Sequence, residues 1–259
     1  MLGLLLLLAC DDTETVCVSG EPCELGDGYY LAAEPADWDG ETPLAVALEF
    51  HGHSGTPEKI YGRDTHRQGW SDSGVLWVLP AGNNQTWNMG GLVGRDDAAF
   101  ANAVLDDVRQ RWPVDEARLY LVGFSIGAGV AAEVACRGTE PWAGLYTISG
   151  GWFEPVPSDC SGPPIPLMHL HGTADTTWPL EGRSFGPLWA QGGMEDNLAL
   201  WRSHNRCDLP VPTSHEAWDC EVQVCAGDTE LRRCLHDGGH TRPSGWNTDE
   251  FAWLARYTR

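Results

Sequence analysis

The segment Val122–Ala131, VGFSIGAGVA, constrains this chain more than any other. An apolar run, RLYLVGF over Arg118–Phe124, leads into Gly123-Phe124-Ser125-Ile126-Gly127, and an alanine-rich run, IGAGVAAEVAC over Ile126–Cys136, leaves it. The first run reads as a strand and the second as a helix. A strand that turns at once into a helix forces the corner residue into a strained conformation and presses its flanking positions against neighbouring chain. Glycines at 123 and 127 meet that demand. The corner pushes the Ser125 hydroxyl out of the sheet, where the free N–H groups of the helix N-terminus converge. Such a corner presents a nucleophile. The plainer reading is an ordinary turn in which Ser125 caps the helix.

The surrounding pattern supports the corner. PLAVALEF (Pro43–Phe50), GVLWVLP (Gly74–Pro80), GLYTIS (Gly144–Ser149) and IPLMHLHG (Ile165–Gly172) are further apolar runs without helical breaks. Continuous runs of this kind suit strands covered on both faces. Between them, RDDAAFANAVLDDVRQRW sets Phe100, Val104, Val108 and Trp112 on one helical face. Asp96 or Asp97 can cap its start and Pro113 ends it. EDNLALWRSH (Glu195–His204) predicts another helix, and a last one is expected at about 247–257. Alternating strands and helices give an α/β fold with a mostly parallel central sheet and helices on both faces. No internal repeat or long linker interrupts the chain after residue 27, so one domain is expected over 28–259.

A serine nucleophile needs a base, and the base needs an orienting carboxylate. On a sheet of this kind they follow in the order Ser, acid, His. LHGTADTTWP offers Asp175 just past a strand end, where active-site loops form; its plainer reading is a turn-forming Asp. Asp159 and Asp196 do not follow a strand end directly. Among His204, His215, His236 and His240, the last sits in a Gly-rich loop between a strand-like run and the final helix, and is the expected base. His236 has strand spacing and reads as structural. Two N–H groups are expected to receive the developing oxyanion: that of Ile126, and that of His53 in EFHGHSGTP. The pairs His51-x-His53 and His169-x-His171 raise a metal site, yet strand-end HG turns account for His51 and His171 without one. No metal and no cofactor are expected.

The chain opens MLGLLLLLAC. Its apolar run is too short to span a bilayer and lacks a basic start, and it reads as an export signal over 1–10. LLAC resembles a bacterial lipobox, which would make Cys10 a lipidated N-terminus; simple secretion, with Cys10 incidental, is the alternative. Residues 11–27 are polar and Gly-rich and read as a tether. Eight further cysteines, an even number in an exported chain, suggest disulfides rather than zinc, since neither close pair has C-x-x-C spacing. Sixteen Lys and Arg against 37 Asp and Glu give a net charge of −21, which disfavours nucleic acid, anionic membrane surfaces and strongly acidic polymers as partners.

Together these residues resemble the α/β-hydrolase esterases related to polyhydroxybutyrate depolymerases and to feruloyl and acetylxylan esterases. The resemblance covers most of residues 40–257. EFHGHSGTP resembles the family's oxyanion segment, PVDEARLYLVGFSIGAG its strand and elbow, HLHGTADTTWP its acid loop, ALWRSHNRCD its late helix and GGHTRPSG its histidine loop. It implies Ser125, Asp175 and His240 as the catalytic triad, and an acyl group held near Trp178 and the Trp87-Asn88 segment. It also implies disulfides Cys136–Cys160 and Cys207–Cys225, which leaves Cys17–Cys23 and Cys220–Cys234. Two features depart from the family. SIGAG stands where relatives often have adjacent glycines, and Arg242 stands where they often carry an aromatic before the proline. The implied activity is hydrolysis of feruloyl, acetyl or hydroxyalkanoate esters by an exported enzyme. A serine peptidase on the same fold and a catalytically inactive polysaccharide-binding surface lipoprotein are the alternatives.

Overall fold

The computed structural model describes residues 17–88, 94–213 and 217–259. The expected export signal, the lipidation site Cys10, the first part of the tether and His215 lie outside them. No helix among the described residues is long and apolar enough to cross a membrane.

In chain order the elements are β1 (Cys23–Leu25), β2 (Gly28–Ala33), β3 (Leu44–Phe50), α1 (Pro57–Tyr61), α2 (Asp64–Asp72), β4 (Val75–Pro80), α3 (Asp97–Arg111), β5 (Val114–Phe124), α4 (Ile126–Arg137), β6 (Gly144–Ile148), β7 (Leu167–Gly172), β8 (Arg183–Ser184), β9 (Ala190–Gln191), α5 (Met194–Asn205), β10 (Val211–Thr213), β11 (Asp219–Val224), β12 (Glu230–His236) and α6 (Trp246–Leu254). Ten strands form one sheet in the order β1-β2-β4-β3-β5-β6-β7-β12-β11-β10. The six from β4 to β12 run parallel. Antiparallel strands extend the sheet at both ends. This is the α/β architecture that the alternating pattern predicts.

Each parallel strand feeds two cores. In β3, Val46, Leu48 and Phe50 pack on the side of α3, α4 and α5, while Ala45 and Ala47 pack on the side of α2 and α6. The period of two explains why such strands read as unbroken apolar runs. The predicted face of α3 buries Phe100, Val104 and Val108, each contributing about 1.5–3 kcal/mol. Asp96 caps that helix, its carboxylate accepting from the Ala99 N–H at 3.0 Å.

Among the elements that the sequence reading did not give are β1, α1 and α2. Cys23–Leu25, at the end of the expected tether, forms the edge strand β1 paired with β2. Its three residues are too short to show an alternation. The helices α1 and α2 between β3 and β4 were not apparent either, because Gly62 and Gly69 interrupt their apolar spacing. The four disulfides are Cys17–Cys23, Cys136–Cys160, Cys207–Cys225 and Cys220–Cys234, the pairing expected. The last joins directly opposed residues of β11 and β12.

Candidate active site

Four loops meet at the carboxyl ends of the parallel strands, where open α/β sheets bind ligands. They follow β3, β5, β7 and β12. The loop after β5 is the tight corner. Ser125 has φ 58° and ψ −127°, a strained conformation for a residue with a side chain. A Cβ at Gly123 would lie 2.2 Å from the Gly127 carbonyl oxygen, and one at Gly127 would lie 2.2 Å from that of Phe50. Both flanking positions therefore exclude a side chain, as the sequence pattern implies.

The loops after β7 and β12 bring Asp175 and His240 to this corner. Ser125 Oγ is 2.9 Å from His240 Nε2, and His240 Nδ1 is 2.7 Å from Asp175 Oδ2. The carboxylate accepts only, so Nδ1 carries the proton and Nε2 offers its lone pair to the Ser125 hydroxyl. Asp175 Oδ1 accepts from the Thr177 and Trp178 N–H groups, both at 2.8 Å, which leaves Oδ2 aimed at the imidazole. His204 lies on α5 and His236 ends β12. Asp159 and Asp196 lie in the loop beside Cys160 and at the start of α5.

The loop after β3 carries His51-Gly52-His53. A Cβ at Gly52 would stand 3.2 Å from that of Ser125, so this segment borders the Ser125 corner. The N–H of Ile126 opens α4 and is free of an intrahelical partner by its position. The His53 ring meets Thr86 Oγ1 at 3.1 Å.

No family model matches the chain. Among curated proteins, "Probable feruloyl esterase C" of Aspergillus terreus is 30% identical over 223 residues, a match that covers 82% of this chain and 75% of that protein. "Feruloyl esterase C" of Emericella nidulans is 28% identical over 226 residues, with the same coverage of 82% and 75%. The chain belongs to the feruloyl esterase C family. It is a carboxylic ester hydrolase. Among solved structures, an acetyl xylan esterase from Aspergillus awamori superposes with a TM-score of 0.62 at 14% identity, covering 88% of this chain and 94% of that one. That likeness establishes the α/β-hydrolase fold.

Two buried polar clusters of this esterase stand behind Asp175 and His240. Behind Asp175, Thr147 Oγ1 meets His169 Nδ1 at 2.9 Å, His169 Nε2 meets His171 Nδ1 at 3.0 Å, and His171 Nε2 meets the Trp178 carbonyl at 2.8 Å. The terminal carbonyl accepts only, so each partner donates toward Trp178 and both histidines are neutral. Burial pushes His169 well below the usual histidine value, with His171 adding to the shift. Burial also holds His171 low, against the Trp178 carbonyl and Asp175. The H-x-H pairs therefore spend their ring nitrogens on the protein. His51 does likewise, its Nδ1 lying 2.8 Å from the Gly52 carbonyl and its Nε2 accepting from the Gly82 N–H at 3.0 Å.

Behind His240 the cluster is charged. Glu49 is fully buried, and its position in β3 turns it toward α2 and α6. Its carboxylate meets Arg242 Nη2 at 2.8 Å and His66 Nε2 at 2.7 Å, and accepts from Trp77 Nε1–H at 2.9 Å. Burial alone would raise its pKa, but His66, Arg242 and Trp77 overcome that and hold it below the usual carboxylate range. Glu250 on α6 is also fully buried; burial, then the nearby Glu49, raises it well above that range. One sequence signal pointed here: Glu49 is the lone charge in the apolar run PLAVALEF.

The expected substrate-contacting residues lie differently. Trp87 and Trp178 are 4% and 2% exposed, and their indole N–H groups donate to the carbonyls of His51 and Gly192. Their faces pack inside, where an apolar ring with a satisfied N–H is most stable. Asn88 borders a cavity of about 580 Å³ lined also by Val130, Trp152, Phe153 and Trp189. Phe185, Leu188 and Trp189, on the β8–β9 hairpin, are 52%, 87% and 46% exposed. Neither strand of that hairpin exceeds two residues, so no periodicity announced it.

Proposed function

We propose that the chain is an exported serine esterase that hydrolyses feruloyl or acetyl esters of a polysaccharide through an acyl-enzyme. The observation that carries this reading is the unbroken series Ser125 Oγ, His240, Asp175, at 2.9 and 2.7 Å. His240 Nε2 takes the Ser125 proton as Oγ attacks the ester carbonyl. The Ile126 and His53 N–H groups stabilise the tetrahedral oxyanion. Asp175 holds the tautomer and stabilises the imidazolium, which then protonates the leaving alcohol. Water activated by His240 releases the acid from Ser125. The names of the curated relatives support the feruloyl class, and the aromatic wall of Phe153 and Trp189 supports a polysaccharide-linked substrate.

Four disulfides support export. The LLAC sequence supports a lipid anchor at Cys10. Labelling with a radioactive fatty acid, lost in Cys10→Ser, tests the anchor; equal labelling of both sinks it.

The deciding experiment is turnover of methyl ferulate, p-nitrophenyl acetate, acetylated xylan and hydroxybutyrate oligomers, with Ser125→Ala as control. Preference for methyl ferulate or acetylated xylan, abolished in Ser125→Ala, is expected. A dominant hydroxybutyrate substrate would replace the acyl class, and turnover surviving Ser125→Ala would overturn the nucleophile. Trp189→Ala is expected to raise KM for acetylated xylan several-fold more than for p-nitrophenyl acetate.

A further inference from the structure

Arg242 lies two residues beyond His240, in the same loop, and is one of the two features that depart from the pattern the resemblance implies. Its side chain is 8% exposed. One edge of the guanidinium is ion-paired to Glu49 at 2.8 Å. Its guanidinium carbon lies over the rings of Phe124 and Trp246, 4.5 and 4.8 Å from their centres. These partners belong to different parts of the site. Phe124 immediately precedes Ser125, and its ring centre is 5.0 Å from that of His240. Glu49 lies two residues before His51, at the entrance to the oxyanion segment. Trp246 opens α6, which closes the histidine loop.

We propose that Arg242 is a positioning residue: its guanidinium fixes the histidine loop against the strand of the oxyanion segment and against the residue preceding the nucleophile. The inference rests on the serine-esterase reading of the same site. A planar, permanently charged group suits this place, since it can pair with Glu49 along its edge while its charge lies over the aromatic rings. Glu49 is fixed in turn by His66 and Trp77, so the anchor is itself held from two further elements. An ammonium would keep the charge and lose the stacking plane. An aromatic would keep the stacking and leave Glu49 short of a partner.

The test separates positioning from stability. Arg242→Met, Arg242→Lys, Glu49→Gln and the double variant Glu49→Leu/Arg242→Met are compared with wild type. Active sites are titrated with a fluorophosphonate, Tm is taken by calorimetry, and kcat and KM are measured on p-nitrophenyl acetate. Misplacement by an ångström is enough for about a 100-fold loss. Arg242→Met is therefore expected to lose about 10- to 100-fold in kcat per titrated site with KM little changed, and Arg242→Lys to recover part of it. The double variant removes both buried charges, so it should regain Tm while kcat stays low. Unchanged kcat per titrated site in Arg242→Met, with only Tm lowered, would overturn the proposal. A second readout does not depend on turnover. The downfield proton resonance of His240 Nδ1–H, identified by its loss in His240→Ala, should shift or broaden in Arg242→Met. If wild-type turnover proves independent of Ser125, the esterase reading fails, while an unaltered resonance would separately sink the clamp.

Discussion

The two polar clusters behind Asp175 and His240 are built from opposite materials. Each packs against one of the loops that carry Asp175 and His240. The one behind Asp175 is neutral: Thr147, His169 and His171 donate in series to the Trp178 carbonyl, and every buried donor has an acceptor. The one behind His240 is charged: Glu49 is paired with His66 and Arg242, and Glu250 lies nearby, held by burial well above the usual carboxylate range. A neutral series is weak link by link, yet losing one link leaves only unsatisfied polar atoms. A charged cluster is directional and strong, but removing one partner strands a buried ion. Damage to the two should therefore differ in size and in its response to pH.

The largest effect is expected where the neutral cluster delivers its output. Asp175→Asn keeps the Thr177 and Trp178 anchors but favours the wrong tautomer of His240. A fall in kcat of about 10⁴-fold is expected on p-nitrophenyl acetate; a fall under tenfold would show that orientation of His240 comes from elsewhere, the Arg242 side included. Next is Glu49→Leu alone, which strands Arg242 in the interior. A loss of about 3–5 kcal/mol in urea unfolding is expected. A smaller change is expected from His171→Phe, which leaves the Trp178 carbonyl without its donor. About 1–3 kcal/mol should be lost, and a loss as large as that of Glu49→Leu would erase the contrast between the clusters.

The smallest effect concerns pH and gives the contrast a sign. His169 and His171 are held below their ordinary value of 6.5, so the unfolded chain takes up protons first. Their contribution is complete above that value and is lost as pH falls below it. Glu250 is held above its ordinary value of 4.5, so the folded chain keeps a proton that the unfolded chain releases. Its contribution is complete below that value and declines as pH rises above it. Glu250→Gln removes the second slope only. Urea unfolding at several values from pH 5 to 8 should show it gaining on wild type as pH rises; a constant difference would mean that Glu250 ionises freely in the folded state.

Much of this site was legible because its parts are local. The corner at Ser125 is written in five consecutive residues, and the apolar runs of β3, β5 and β7 end where loops of the site begin. Asp175 and His240 each follow a strand end within a few residues, so order along the chain sufficed. The Glu49–Arg242 pair spans 193 positions, and nothing near either residue names the other. Trp87 and Trp178 show the opposite failure. Their place in the chain is beside the site, but their rings turn inward, and sequence proximity does not report the direction of a side chain. The exposed hairpin with Phe185 and Trp189 escaped because two-residue strands carry no period.

The edges of the sheet bear on how such a protein fares at high concentration. An open ten-stranded sheet has two borders with unpaired backbone groups, each a template for another chain. Here β1 and β10 are three residues long, and β10 contains Pro212, which has no N–H to offer. Cys17–Cys23 fastens the chain just ahead of one border. The net charge of −21 keeps copies apart before the borders can meet. The fold thus carries its own protection against edge-to-edge association of its copies.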